Sequence, residues 1–342
     1  AMRAALFSEH GGPEVIRIAE VEIPEPGPGE VRVAVRAVSL NHLDLWARRG
    51  LPFEIPMPHI GGSDVAGIVD AIGPGAREVP LGTRVVVDPS LNYEWYQNTR
   101  GGTEIPQPSF EVLGEHTQGG LADYCVVPAK NLLEIPESVS FEVAGAAGVT
   151  FVTAWHALLG RGNLRPGETV LVTGASGGVS TAAIQIAKLS GARVYAVTSG
   201  RTNVDRVKTL GADVVYDRLE VDFSHEVWHD TGKRGVDIIL DSVGEPIWES
   251  CLRSLAVGGR LVSYGGTVGP TVASDVRVIF WKQLSILGST LGPPEDFRRV
   301  MTLIFDGLLT PVIDEVLPLT EARRAHQLLE SGKVFGKLVI VP

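Results

Sequence analysis

Residues 170–180 have the sequence VLVTGASGGVS, and this stretch decides the fold of the chain. The apolar residues at 169–173 predict a short buried strand that ends in a glycine-rich turn. After the turn, apolar side chains recur at helical spacing and predict a helix with one buried face: Val179, Ala182, Ala183, Ile186, Ala187 and Leu189. A strand, a glycine turn and a helix in this order are typical of a nucleotide pyrophosphate site, because the helix N-terminus offers unpaired N–H groups.

The glycine turn is a weak signal by itself, since Ser180 takes the position of the third glycine in the usual pattern. Its place between a predicted strand and a predicted helix makes the signal strong. The residues predicted to contact the phosphates are those of the turn and the start of the helix: Ser176, Gly177, Gly178 and Val179.

The residues at the end of the second predicted strand indicate which dinucleotide is bound. An enzyme that uses NAD would carry Asp or Glu there, to hold the ribose hydroxyls. This chain has Thr198, Ser199 and, two residues later, Arg201, with no acid before Asp205. Hydroxyls and a guanidinium suit the 2′-phosphate of NADP, and Arg218 after the next strand would assist. We therefore predict that NADPH is preferred over NADH, the alternative being that these arginines are merely solvated.

Further short apolar runs indicate a parallel sheet around this turn. They lie at 193–197, 214–216, 237–240, 260–264 and 284–287 and alternate with helical stretches. Together with 169–173 they predict an α/β fold with a doubly wound parallel sheet of about six strands. A helical pattern is also present at 143–159.

The first third of the chain has a different pattern. Its apolar runs at 31–35, 65–72 and 84–87 are separated by Gly and Pro and predict an irregular antiparallel β domain. Near the C-terminus we predict a helix at 320–331, with Thr320 as its N-cap, and a closing strand at 337–341 that joins the N-terminal sheet. The predicted domains are 1–134 with 291–342, and 135–290.

Composition excludes several classes of protein. The 342 residues include 44% hydrophobic and 20% charged residues, which is typical of a globular chain. The net charge of −10 leaves no basic field for a nucleic acid, so we expect a small-molecule partner. No apolar run approaches the roughly 18 residues of a membrane span, and the N-terminal residues lack the plan of a secretory signal. We expect a cytoplasmic protein.

The two cysteines, Cys125 and Cys251, exclude a disulfide framework and are expected to be buried.

A series of short segments carries a resemblance that covers essentially the whole chain. In order along the sequence they are GEVRV (29–33), LNHLD (40–44), GSDVAG (62–67), GTRV (82–85), GLADY (120–124), TAW (153–155), the glycine turn and DSVG (241–244). This series resembles the medium-chain dehydrogenases/reductases. The resemblance implies a GroES-like catalytic domain interrupted by a Rossmann domain.

The resemblance also locates the positions where zinc members of the family hold metal. The catalytic ligand positions fall on Asn41, Ser63 and about Val149, none of which is a plausible zinc ligand, while Asp64 matches the acid beside them. The alternative is that His42, His59 or His116 binds the metal instead. The four structural cysteine positions fall on Tyr93, Tyr96, Thr99 and Gln107, so packing by Tyr93, Trp95 and Tyr96 replaces that metal, or the segment is a flexible loop. We predict no metal.

Without a Lewis acid, simple alcohol oxidation is disfavoured. Quinones and alkenes conjugated to a carbonyl accept hydride with the help of hydrogen bonds alone, because the charge develops on an oxygen. The resemblance therefore points to the zinc-independent quinone oxidoreductase and enoyl reductase branch. Two other functions stay open: an NADPH-binding module with little catalysis, and an alcohol dehydrogenase with an unusual metal site.

The resemblance assigns roles to individual residues. Asn41 would donate its amide N–H to the ribose or to a substrate oxygen, the alternative being a turn-capping asparagine. Trp46 stands where many quinone reductases have Tyr, and would stack on a flat substrate. The residues implied to border the cofactor are Thr153, Val243, Gly265, Gly266, Ser289 and Lys337, of which Lys337 would reach a phosphate. The apolar strand at 284–291 would pair with its copy in a dimer or tetramer.

Overall fold

The computed structural model describes residues 1–76, 79–93 and 110–342. These residues divide into two compact units, Ala1–Val149 with Gly292–Pro342, and Thr150–Leu291. The domain boundaries at 134 and 290 stay predictions, and each unit is described here by the bounds of the structure. No helix in the described ranges is long and apolar enough to cross a membrane.

The strands of the described residues, in chain order, are β1 (Met2–Phe7), β2 (Arg17–Val21), β3 (Glu30–Ser39), β4 (His59–Ile60), β5 (Asp64–Ile72), β6 (Arg84–Val87), β7 (Ser90–Leu91), β8 (Glu111–Val112), β9 (Tyr124–Pro128), β10 (Leu132–Glu134), β11 (Thr169–Val172), β12 (Arg193–Thr198), β13 (Val214–Asp217), β14 (Val236–Asp241), β15 (Leu255–Ser263), β16 (Ser285–Gly288), β17 (Ile313–Pro318) and β18 (Lys337–Val341).

The α-helices of the same residues are α1 (His42–Arg49), α2 (Phe141–Gly145), α3 (Gly148–Trp155), α4 (Gly178–Leu189), α5 (Arg201–Thr209), α6 (Phe223–Asp230), α7 (Trp248–Ser254), α8 (Val276–Trp281), α9 (Pro294–Phe305) and α10 (Ala322–Glu330). Short 3₁₀ turns occur at Pro13–Val15, Ala129–Asn131, Glu245–Ile247 and Leu319–Glu321, and a π-helical segment occurs at His156–Arg161.

The unit Thr150–Leu291 is built on a six-stranded sheet in the order β13-β12-β11-β14-β15-β16. All five strand pairs are parallel. In β11, the consecutive residues Val170, Leu171 and Val172 are all fully buried, so both faces of the sheet are covered, as a parallel sheet requires. The strand order reverses between β11 and β14, which is the switch point where doubly wound sheets bind ligands. The predicted Rossmann fold is confirmed.

The unit Ala1–Val149 with Gly292–Pro342 contains a largely antiparallel sheet in the order β10-β6-β5-β3-β18-β17, with β9 also paired to β3. A smaller sheet has the order β2-β1-β4. The closing strand β18 pairs antiparallel with β3, placing Val339 opposite Ser39. The predicted attachment of the C-terminal strand to the N-terminal sheet is confirmed, and this unit is the predicted GroES-like β domain. Both cysteines are buried, Cys125 here and Cys251 in the other unit.

Two predicted helices differ from the structure. The helix predicted at 143–159 is broken at 146–147 into α2 and α3, because the Asp64 carboxylate accepts the N–H of Val149 and starts a second helix there. The predicted N-cap Thr320 lies inside a 3₁₀ turn, and Glu321 is the N-cap of α10.

Candidate active site

The glycine turn joins β11 directly to α4. Gly174 has φ +51°, a left-handed conformation that favours glycine, and its carbonyl accepts the N–H of Gly177 at 3.0 Å. Of the predicted phosphate contacts, Ser176 and Gly177 lie in this turn and Gly178 and Val179 open the helix. The first N–H groups of a helix have no partner within it, so this end of α4 presents donors to an anion.

Ser180 explains how the turn works without its third glycine. Its hydroxyl donates to the carbonyl oxygen of Thr173 at 2.9 Å, which ties the first turn of α4 to the end of β11. The third glycine of the usual pattern serves close packing of helix and strand. A small hydroxyl with a backbone acceptor fills that position with no unpaired polar atom.

Asp241, at the end of β14, organises the neighbouring turn and was missed as a site residue. One carboxylate oxygen accepts the hydroxyl of Thr173 at 2.6 Å and the N–H of Val243 at 3.2 Å. The other accepts the N–H of Gly244 at 3.1 Å. The carboxylate therefore fixes the turn that carries Val243 beside the glycine turn. The available sequence signal was an acid at the end of a buried strand, with Gly244 three residues later.

The four residues predicted for the 2′-phosphate lie together. Thr198 ends β12, and its carbonyl accepts the N–H of Arg218 at 2.9 Å. Arg201 is the first residue of α5, and no ion pair joins Arg201 or Arg218 to any other described residue. The Asp217 carboxylate, also missed, accepts the N–H of Gly200 at 3.1 Å and shapes the turn that contains Ser199.

Other predicted cofactor contacts also follow the sheet's carboxyl-terminal edge. Gly265 and Gly266 come just after β15, and Ser289 comes just after β16 with its N–H bonded to the Ser263 carbonyl at 2.9 Å. The hydroxyl oxygens of Thr198 and Ser289 are buried without a hydrogen-bond partner in the part of the chain that the structure describes. Buried orphan hydroxyls and the free helix N-terminus fit a nicotinamide dinucleotide. Thr153 lies on α3 and is buried.

Asn41 stands at the N-cap of α1, in the other unit. Its backbone N–H donates to Asp44 at 2.9 Å. Its side-chain amide makes two further contacts: Nδ2 donates to Asp64 Oδ2 at 3.0 Å, and Oδ1 accepts from Lys337 Nζ at 2.6 Å. Asn41 is therefore a helix cap through its backbone, while its amide belongs to a buried polar cluster. We call Ser39, Asn41, Asp64 and Lys337 the amide cluster.

Lys337 corrects a prediction. Its ammonium lies inside the first unit, bonded to the carbonyl of Leu40 at 2.6 Å and to Asn41, and 3.5 Å from Asp64 Oδ2. Only 4% of the residue is exposed. Because all three N–H directions have acceptors in its own unit, Lys337 is not available to a cofactor phosphate. Burial lowers the pKa of Lys337, and the carboxylates of Asp64 and Asp44 oppose that change.

The two carboxylates near Asn41 were also missed as site residues. Asp64 accepts the N–H of Val149 on one oxygen and the hydroxyl of Ser39, at 3.1 Å, on the other. Asp44 accepts the N–H of Gly62 at 2.9 Å. Burial raises the pKa of Asp44 to about 6. Both acids come from segments that carry the family resemblance, but their partners could not be inferred from spacing.

The catalytic metal positions do not fit zinc. Asn41 gives its amide oxygen to Lys337, Ser63 offers only a buried hydroxyl, and Val149 has no ligand atom in its side chain. A cation of the chain itself therefore contacts the first ligand position. Within the described ranges, no three His, Cys, Asp or Glu side chains are placed to share a metal ion. That the protein works without zinc stays a prediction.

The three histidines that are the alternative metal ligands, His42, His59 and His116, each lie among other groups of the protein. The Nε2 of His59 lies 2.9 Å from the carbonyl of Gly114, and His116 accepts the N–H of Val112 at 3.0 Å and stacks on Phe53. Burial lowers the pKa of His42, as do the nearby charges of Lys337 and Arg49.

The remaining predicted positions are partly described. Tyr93 is buried and packs against Phe110, with ring centroids 4.9 Å apart. Trp95, Tyr96, Thr99 and Gln107 lie outside the described residues. Trp46 lies on α1 and is 41% exposed, so its indole is accessible, and its predicted stacking role stays a prediction.

The raised pKa of Asp44 generates a test of its burial. Because the folded pKa of about 6 exceeds the ordinary value of 3.8, the Asp44 contribution to stability is full below pH 3.8 and is lost as the pH rises through 6. We expect Asp44→Asn, which does not titrate, to be more destabilising relative to wild type at pH 5 than at pH 7.5, by about 1 kcal/mol. Urea unfolding at both pH values measures this, with the exposed Asp306→Asn as control. An equal cost at both pH values would contradict the assignment.

Comparisons with known proteins agree with this architecture. Residues 27–137 match the family model described as alcohol dehydrogenase GroES-like domain, and residues 178–306 match the one described as zinc-binding dehydrogenase. The acryloyl-coenzyme A reductase of Metallosphaera sedula is 31% identical, over 99% of both chains. The quinone oxidoreductase of Homo sapiens is 28% identical, over 99% of this chain and 98% of that one.

A solved structure described as an NAD-dependent alcohol dehydrogenase is also similar. It is 40% identical, covers both chains completely and superposes with a TM-score of 0.92. Full-length similarity above 30%, the two matched family models and the observed pair of folds lead to one conclusion. The chain belongs to the medium-chain dehydrogenase/reductase superfamily and is an oxidoreductase.

Proposed function

We propose that the protein transfers hydride from NADPH to a quinone or to a carbonyl-conjugated alkene, without zinc. The observation that carries this proposal is the Lys337 ammonium, 2.6 Å from the amide oxygen of Asn41 at the first zinc-ligand position. A chain that places its own cation there leaves the acceptor to be activated by hydrogen bonds. That requirement favours acceptors whose oxygen becomes charged during the reaction.

In this proposal the cofactor and the residues of the chain have separate roles. A bound nicotinamide supplies the hydride chemistry. The glycine turn and the end of β12 hold the dinucleotide, and Asn41 donates an N–H to the oxygen of the acceptor. Trp46, exposed on the same helix, offers an aromatic face to a flat substrate. The similarity to proteins named quinone oxidoreductase and acryloyl-coenzyme A reductase supports both acceptor classes.

A direct assay tests this function. We expect the purified protein to oxidise NADPH with at least one member of a panel of quinones and enones, at a rate unchanged by a metal chelator. Elemental analysis of the same preparation should find no stoichiometric zinc. Turnover that requires bound zinc, or oxidation of a simple alcohol as the main activity, would overturn the proposal. Tight NADPH binding with no acceptor reduced would favour the alternative of a binding module.

We also propose that Arg201 and Arg218 recognise the 2′-phosphate of NADP. Arg201 begins α5 three residues after Thr198, the backbone N–H of Arg218 donates to the Thr198 carbonyl, and neither guanidinium has a carboxylate partner among the described residues. Arg201→Glu should raise the Kd for NADPH by roughly ten- to a hundredfold, because a charge-assisted hydrogen bond is worth about 1.5–3 kcal/mol. The Kd for NADH should change little. Fluorescence titration measures both, and Lys208→Glu on the same helix controls for net charge. An unchanged NADPH preference would remove the phosphate assignment.

We further propose a homodimer formed through β16. This strand is at the edge of its sheet, and the adjacent helix α8 exposes two large aromatic side chains, Phe280 and Trp281. An open strand edge with apolar residues beside it suits pairing with a second copy. Light scattering should give about twice the chain mass of 36.5 kDa, and Ile286→Lys should reduce it to the monomer value. A monomeric wild type would contradict this.

A further inference from the structure

We infer that Lys337 is a positioning residue, which holds the Asn41 amide in the one orientation that presents an N–H donor, and not a carbonyl acceptor, to the substrate oxygen. This inference rests on the proposed function and deepens it. It makes the amide cluster select acceptors that carry a carbonyl oxygen over ligands that offer a hydroxyl donor.

The orientation of the amide follows from the chemistry of its two neighbours. Lys337 Nζ has only donors to offer, and it lies 2.6 Å from Asn41 Oδ1. The ionised carboxylate of Asp64 has only acceptors, and it lies 3.0 Å from Asn41 Nδ2. Rotating the amide by half a turn would set N–H against N–H on one side and oxygen against oxygen on the other. Both contacts would be repulsive, so one orientation is fixed.

The protonation state of Lys337 does not change this result. Its two contacts at 2.6 Å, to the Leu40 carbonyl and to Asn41 Oδ1, both need a donor. A neutral amine still has two N–H groups, and an ammonium has a third for Asp64. The amide orientation is therefore the same whichever form Lys337 takes.

The partners are themselves held by the fold. Lys337 begins β18, which pairs with β3, and the N–H of Leu40 donates to the Leu338 carbonyl at 3.2 Å. Asp64 begins β5 and is held by Ser39 and by the N–H of Val149. The Asn41 backbone is fixed as the N-cap of α1. An amide placed by three elements loses little freedom when it binds a ligand.

The fixed orientation leaves the second hydrogen of Asn41 Nδ2 free to bind the substrate oxygen. One hydrogen points to Asp64, and the described residues supply no second acceptor for this nitrogen. When hydride and its electron pair add to the β-carbon of an enone, the C=C electrons move and negative charge develops on the carbonyl oxygen. The Asn41 N–H stabilises that charge, and a proton from solvent completes the α-carbon. An amide oxygen in the same place would repel the developing charge.

A double-mutant cycle tests whether Lys337 acts through Asn41. Asn41→Asp, which replaces the donor by an acceptor of the same size, should lower kcat for enone reduction about 100-fold. Lys337→Met should lower kcat about tenfold and leave the KM for NADPH within about twofold. In an Asn41→Ala background, Lys337→Met should have no further effect, because nothing is left for it to position. The exposed Lys333→Met, four residues away, is the control and should behave as wild type.

Lys337→Met leaves Asp64 buried without its cation, which threatens folding. The variant Asp64→Asn with Lys337→Met removes both charges and should show the same loss of kcat with an intact unfolding transition. If Lys337→Met lowers kcat equally in the wild-type and Asn41→Ala backgrounds, Lys337 acts independently of Asn41 and the inference is wrong.

A spectroscopic arm separates this inference from the proposed function. In protein labelled with ¹⁵N at asparagine, the side-chain signals of Asn41 are those lost in Asn41→Asp. Their exchange with solvent should be slow in the wild type and fast in Lys337→Met. Unchanged exchange in Lys337→Met would overturn the inference even if the enzyme is active. Slow exchange that depends on Lys337, in a protein that reduces no acceptor, would overturn only the proposed function.

Discussion

The hydrogen bonds and the charge contact of the Asp64 carboxylate are the interactions on which the unit Ala1–Val149 with Gly292–Pro342 depends. It is almost fully buried, and it accepts hydrogen bonds from Ser39, Asn41 and Val149 while facing the Lys337 ammonium. These partners come from a strand end, a helix cap, a second helix and the last strand. A buried carboxylate is tolerated only when it is paired and fully hydrogen-bonded. Removing any one of these four partners would therefore leave the buried charge of Asp64 less compensated and destabilise the fold.

This constraint explains local features that otherwise look unrelated. The chain breaks its helix at 146–147 so that the N–H of Val149 can reach Asp64. Gly148 must lack a side chain, because a Cβ there would lie 2.5 Å from Asp64 Oδ1. The closing strand β18 pairs with β3 and brings Lys337 to Asp64. The Lys337 ammonium thus lies beside the buried Asp64 carboxylate and balances its charge.

Local patterns in the sequence predicted the Rossmann strands, the glycine turn and helix α4, because each depends on side chains within a few residues of one another. The partners of Asn41 could not be predicted in this way, since Asn41 and Lys337 are 296 positions apart. The prediction that Lys337 reaches a phosphate was wrong for the same reason: spacing locates a lysine near the C-terminus but does not show which way its amine turns. Asp241 and Asp217, at strand ends, carried a local signal that was available and unused.

In the unit Thr150–Leu291, the hydroxyls of Thr198 and Ser289 are buried without a hydrogen-bond partner among the described residues. In the other unit, Lys337 and Asp64 set the direction of the Asn41 amide. The most direct test of the zinc-free amide cluster is a crystal structure with NADP and an enone, from crystals grown with zinc chloride and measured at the zinc absorption edge. We expect no anomalous peak beside Asn41 and Asp64, and an enone oxygen that accepts a hydrogen bond from Asn41 Nδ2. An anomalous peak in the place of the Lys337 ammonium would show a bound metal there and contradict the zinc-free site.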